Sequence, residues 1–181
     1  MKFIKRIQVG NKVADLQRLS IEEMIAILAG KGCCYDVIAE LWSRIYGGFG
    51  QVSTPTASQI KAGFTKYMND MVDAGWDECK MAEDGDPTLA QFSFLRAWMV
   101  GQDFECGSVV NGGSNGAYNF GIIPGNENGY HAVIIEGDKY MGSDGHYYYH
   151  VSDPNNGGAS YSIRADQLMK SMSVSGKVSN E

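Results

Sequence analysis

The chain has 181 residues, of which 44% are apolar and 20% charged, and a formal net charge of −6. That length suits one domain with a real core, and the composition is that of a folded rather than a disordered chain. The acidic balance argues against nucleic acid or an anionic membrane as the main partner, because both attract a basic face.

No segment approaches the ~18 consecutive apolar residues of a membrane span. The basic stretch "MKFIKRIQVGNK" is not followed by the apolar core of a signal peptide. The chain is therefore expected to be made in a cytosol and, if exported, to leave without a cleaved N-terminal signal. It reads as a single domain over 1–181, with 1–19 and 173–181 expected to be flexible.

The first half reads helical. "LSIEEMIAILAGKG" opens on Ser20 with Glu23 three residues on, a capping box, and closes on Gly30 and Gly32. In "CCYDVIAELWSRIYGG" the residues Val37, Ile38, Leu41, Trp42 and Ile45 form one apolar stripe. "TPTASQIKAGFTKYMNDMVDAGW" predicts a third helix with Ile60, Phe64, Met68 and Met71 inward. "DECKMAEDGD" then reads as a solvated acidic loop. "DPTLAQFSFLRAWMVGQ" predicts a fourth helix with Pro87 in its first turn.

After about residue 105 the character changes. Gly and Asn cluster in "GSVVNGGSNG", followed by β-rich runs: "AYNFGII", "YHAVIIEGD", "HYYYHVSD" and "SYSIRA". "GDKYMGSDGH" predicts a hairpin connection turning at Asp144-Gly145, and "ADQLMKSM" a short helix. Helices first, then an antiparallel sheet, is an α+β layout.

The four cysteines are Cys33, Cys34, Cys79 and Cys106. No CxxC occurs, so neither a zinc ribbon nor a thioredoxin-type site is expected, and no metal or other cofactor. Cys34 follows "GKG" at a helix start, where unpaired N–H groups and the helix dipole favour a thiolate. His131 stands at the head of an apolar strand, where an imidazole facing that helix start would serve as base. Asp153 ends the next strand, where its carboxylate would fix the imidazole tautomer. Each also has a plain structural reading: small apolar residues at a helix start, a core histidine, and an Asp-Pro-Asn-Asn-Gly turn. His146 and His150 flank "YYY" and are expected to face solvent. Cys33 competes with Cys34 for the nucleophile role.

The ordered Cys, His and Asp resemble the papain-like cysteine peptidases, and among them the bacterial effector proteases of the YopT/AvrPphB type. The matching segments are "GKGCCYDVIAELW", "YHAVIIEGD" and "YYYHVSDPNNGG". The resemblance implies a papain-like α+β fold, with a helical layer packed on a C-terminal antiparallel sheet. It implies a thiol protease in which Cys34 is the nucleophile, His131 the general base and Asp153 the orienter. The Gly32-x-Cys34 spacing and the aromatic Tyr35 favour Cys34 over Cys33. For the oxyanion the family uses a Gln or Asn side chain, and Gln17 is the nearest upstream glutamine. The backbone N–H of Cys34 would be the other donor. The implied biology is a secreted bacterial effector or toxin acting on a protein or peptide substrate, with an inhibitor or immunity protein as a further partner. Transglutamination, deamidation and peptidoglycan amide cleavage use the same triad. A non-enzymatic binding module stands as the alternative from another class.

Overall fold

A computed structural model describes residues 32–47, 53–107, 117–125 and 129–177. Among these residues, three α-helices precede a six-stranded antiparallel sheet: α1 (Cys33–Tyr46), α2 (Ala57–Asp73), α3 (Phe92–Gly101), then β1 (Phe104–Gly107), β2 (Tyr118–Pro124), β3 (Tyr130–Met141), β4 (Tyr147–Asp153), β5 (Ala159–Arg164) and β6 (Lys170–Gly176). The strand order is β1-β6-β2-β3-β4-β5. The α+β expectation holds at that level. Among the described residues no helix is long and apolar enough to cross a membrane.

The helices follow their apolar stripes. α1 buries Cys33, Val37, Ile38 and Leu41, and α2 buries Ile60, Phe64 and Met68. α2 starts at a capping box, in which the Gln59 N–H donates to Thr56 Oγ1 at 3.3 Å and the Thr56 N–H donates to Gln59 Oε1 at 2.9 Å.

Strand β2 and the first half of β3, His131–Ile135, are nearly continuous buried runs because both their faces are covered. Phe120, Ile122, Ala132, Ile134, Met172 and Val174 face the helices. Ile123, Val133, Ile135, Val151 and Ile163 form a second cluster, with Tyr149, Tyr161 and Leu168 packed against it. Each large apolar side chain so buried contributes roughly 1.5–3 kcal/mol by transfer from water.

Several expectations need correction. The segment 173–176, expected to be flexible, belongs to β6, which lies between β1 and β2 and pairs with both. "ADQLMKSM" is not a helix: Ala165–Gln167 is a single 3-10 turn, and the chain then enters β6. The alternation of Met172 and Val174 into the core outweighs the helix formers around them. The fourth helix starts later than expected. Pro87 precedes a 3-10 turn at Leu89–Gln91, and the α-helix begins at Phe92. β3 runs on to Met141, so the hairpin connection is shorter than the sequence suggests. The acidic segment before α3 is anchored, because Cys79 is fully buried in the core. The helix expected to close on Gly32, and residues 1–19, lie outside the described residues.

Candidate active site

The site forms where β4 leaves the sheet. β3 and β4 are in register at Ile134 opposite Ser152, one residue before Asp153. Pro154 follows, and it has no N–H to continue the ladder. The chain turns through Pro154–Asn156 and then through Gly157 and Gly158, at φ 63° and 79°. That left-handed backbone suits glycine, and the turn closes with the Gly158 N–H donating to the Asp153 carbonyl at 2.9 Å.

The departure of β4 uncovers the start of β3, and the Cys33 sulfur occupies that edge. The Ala132 N–H donates to Cys33 Sγ at 3.3 Å, and the Cys33 thiol points to the Tyr130 carbonyl at 3.7 Å. A strand partner would otherwise pair with these two backbone groups. They fix the sulfur between residues 130 and 132, with His131 in the middle.

His131 is fully buried, and its Nε2–H donates to Asp153 Oδ2 at 2.7 Å. The two residues are diagonal neighbours on adjacent strands, a spacing that long side chains bridge. Tyr161 on β5 donates to the same carboxylate oxygen at 3.5 Å. Among the described residues, the other ring nitrogen, Nδ1, and the other carboxylate oxygen, Oδ1, are buried with no hydrogen-bond partner. Buried polar atoms are seldom left unpaired in a purely structural pair.

The electrostatics single out the same three residues. The Cys33 thiol is pulled down to about 5, first by the neighbouring Cys34 thiol, against burial, and then by the nearby His131 imidazolium. Burial works against the imidazolium. The Asp153 hydrogen bond and the Cys33 side chain outweigh it, holding His131 up at about 9. Between these values the pair is a thiolate facing an imidazolium. Cys34 behaves oppositely. Its thiol is pushed well up by Cys33, by burial and by the charge of Asp86.

The assignment of Cys34 as the residue facing His131 is therefore corrected. Cys33 and Cys34 are the first two residues of α1, so their side chains diverge by about 100° around the helix axis. Cys33 faces the β3 edge. Cys34 turns into a narrow crevice with Pro87, Thr88 and Tyr130. Adjacent cysteines in a helix cannot both face one imidazole, and spacing from Gly32 does not decide which one does.

The start of α1 is held from outside the helix. Gly32 adopts φ 91°, a left-handed conformation, and its N–H donates to Asp86 Oδ2 at 2.7 Å. The Tyr35 hydroxyl donates to the Gly85 carbonyl at 2.6 Å. Lys61 lies 3.6 Å from Asp86 Oδ1. Asp86 and Tyr35 thus set where the helix begins. The sequence marks this stretch only as an acidic loop and carries no sign of its distant partner.

Gln17 lies outside the described residues. Within the described part, the helix start supplies backbone N–H donors near the sulfur, since the first N–H groups of a helix have no intrahelical acceptor. His150 is exposed; its Nδ1 lies 3.2 Å from Ser162 Oγ and its ring stacks on Tyr140 at 4.4 Å. His146 is exposed, with its N–H bonded to Asp144. Neither approaches the Cys33 site. Among the described residues no group of three or more His, Cys, Asp or Glu is arranged to hold a metal ion. No family model, characterised protein or solved structure matches this chain.

Proposed function

We propose that the chain is a cysteine hydrolase of papain-like type that cleaves amide bonds through an acyl-enzyme. Cys33 is the nucleophile, His131 the general base and acid, and Asp153 the orienter. The observation that carries this reading is the buried His131–Asp153 pair at 2.7 Å, with Nδ1 unpaired and the Cys33 sulfur pinned at the same strand position.

The chemistry balances on these three residues. The Cys33 thiolate attacks the substrate carbonyl carbon, and the carbonyl π electrons move to oxygen. Backbone N–H groups at the start of α1 are aimed to receive that oxyanion. As the tetrahedral intermediate collapses, the C–N bond breaks and the imidazolium delivers its Nδ1 proton to the departing amine. Neutral His131 then takes a proton from water, whose oxygen attacks the thioester. The thiolate leaves and the imidazolium is restored. Throughout, Asp153 holds Nε2–H, so the proton moves at Nδ1.

Iodoacetamide labelling across pH, with the modified cysteine located by mass spectrometry, tests the reading. Selective labelling of Cys33 with a midpoint near 5, together with hydrolysis of unfolded protein that Cys33→Ser abolishes, supports it. Uniform slow labelling of all cysteines near the free thiol value of about 8.5 overturns it.

A further inference from the structure

A groove of about 620 Å³ runs between one face of α3 and the start of β6. Ser93, Arg96, Ala97 and Val100, spaced three and four apart on the helix, form one wall, and Lys170 and Met172 form the other. The walls are small or apolar except for the two cations. Among the described residues no carboxylate lines the groove, although the chain as a whole carries a net charge of −6. Both cationic side chains are exposed. One Arg96 nitrogen is committed to the Cys106 carbonyl at 2.8 Å, which holds the guanidinium over the groove. Among the described residues, Lys170 has no ion-pair partner.

The groove adjoins the crevice beside the Cys33 site. Leu89 and Phe92 line it and also line the crevice that holds Cys34 and Tyr130. The sheet register agrees: Lys170 is opposite Ile122, and Ile122 is opposite Ala132, whose N–H holds the Cys33 sulfur. Two strand spacings separate Lys170 from Ala132, about 10 Å.

We propose that this groove binds the substrate as an acidic peptide segment, with a carboxylate side chain between Arg96 and Lys170 and an adjacent apolar side chain on the Ala97–Met172 floor. The proposal rests on the hydrolase reading for the direction of the chain toward Cys33, and names that enzyme's substrate class. Charge complementarity selects the occupant: a basic segment would meet two cations that have no ion-pair partner among the described residues, in a largely apolar channel where like charges repel strongly.

Binding and cleavage are measured separately, so that the two readings fail separately. Fluorescein-labelled decapeptide pools rich in Glu and Leu, or in Lys and Leu, are titrated against Cys33→Ser protein by fluorescence anisotropy. The Glu pool is expected to bind at least about tenfold tighter, and Lys170→Glu to erase or invert that preference at an unchanged melting temperature. Equal affinity for the two pools, no binding of either, or a preference untouched in both Lys170→Glu and Arg96→Glu overturns the groove. Wild-type protein is then given the same pools. Glu peptides that bind but are never cut overturn the hydrolase reading and leave the groove standing. Peptides cut without regard to charge do the reverse.

Discussion

At its C-terminal end, α1 is tied to the sheet by Arg44. The guanidinium donates to Glu40 at 2.8 Å, to Glu136 at 2.6 Å and to Ser152 at 3.3 Å, and the Ser152 hydroxyl donates in turn to Glu136. Every polar group in that cluster has a partner. At its N-terminal end, the same helix presents a sulfur to the edge of β3, beside a buried imidazole nitrogen and a buried carboxylate oxygen that have no partner among the described residues. Both ends meet β3, at Ala132 and at Glu136, four residues apart along the strand. The difference lies in satisfaction. One end closes its hydrogen bonds and fixes the helix, while the other leaves valences open where a substrate would enter. A helix free to shift at both ends would hold Cys33 too loosely, so the saturated end serves the unsaturated one.

Exchanging the two cysteines sharpens the comparison most. Cys33→Ser should lower amide hydrolysis by at least about 10⁴-fold, since a serine there lacks an accessible oxyanion. Cys34→Ser should retain hydrolysis within about tenfold, with a modest rise in the Cys33 midpoint, because Cys34 is the first influence holding that thiol down. Mapping both variants by mass spectrometry after labelling distinguishes them. Equal losses would place the chemistry at neither sulfur in particular.

Removing the imidazole comes next. In His131→Ala the labelling midpoint of Cys33 should climb from about 5 toward the free value near 8.5. Near pH 6 the thiolate fraction would fall by up to about 300-fold. The less acidic thiol is intrinsically more nucleophilic, which offsets about 40-fold of this. A net drop of about tenfold in labelling rate remains, so the midpoint is the cleaner measurement. Hydrolysis should fall further, by about 10²–10⁴, because the proton carrier is gone.

The wild-type pH profiles follow from the same two groups. Cys33 is held down, so its reactive form appears as pH rises through about 5. His131 is held up, so its acidic form is lost as pH rises through about 9. Labelling needs only the thiolate and should rise to a plateau. Hydrolysis needs both forms and should be bell-shaped, with limbs near those values. Asp153→Asn keeps an acceptor for Nε2–H but removes the charge. Hydrolysis should drop about tenfold, the difference between a charge-assisted and a neutral hydrogen bond, and the alkaline limb should move down toward 6.5.

Much of this geometry was legible beforehand. The stripe of α1, the apolar run of β3 and the Asp-Pro-Asn turn follow from local rules, and those elements carry His131 and Asp153. The choice between Cys33 and Cys34 was not legible. It depends on the rotation of α1 about its axis, fixed by Asp86 and Tyr35 through contacts more than fifty residues apart in one case and fifty in the other. β6 was missed for a related reason. "LMKSMSVSG" carries a helical beginning and a polar end, and only the core on one face of the sheet makes Met172 and Val174 a strand.

The smallest effect belongs to the saturated end. Arg44→Met keeps an apolar stem but removes all three donations and the guanidinium that lies over the Tyr118 ring. Glu40 and Glu136 are about two-fifths exposed, so water takes over much of their solvation, and stability should fall by no more than about 1 kcal/mol. Thermal melts and Cys33 labelling, measured together, then separate two kinds of helix anchor. If the Arg44 cluster only adds stability, the melting temperature drops by a few degrees and the labelling midpoint stays near 5. If it also holds the register of α1 against β3, the midpoint rises, because a helix that slips or turns carries the Cys33 sulfur away from the Ala132 N–H and from His131. The second result is the one expected if the saturated end serves the open one.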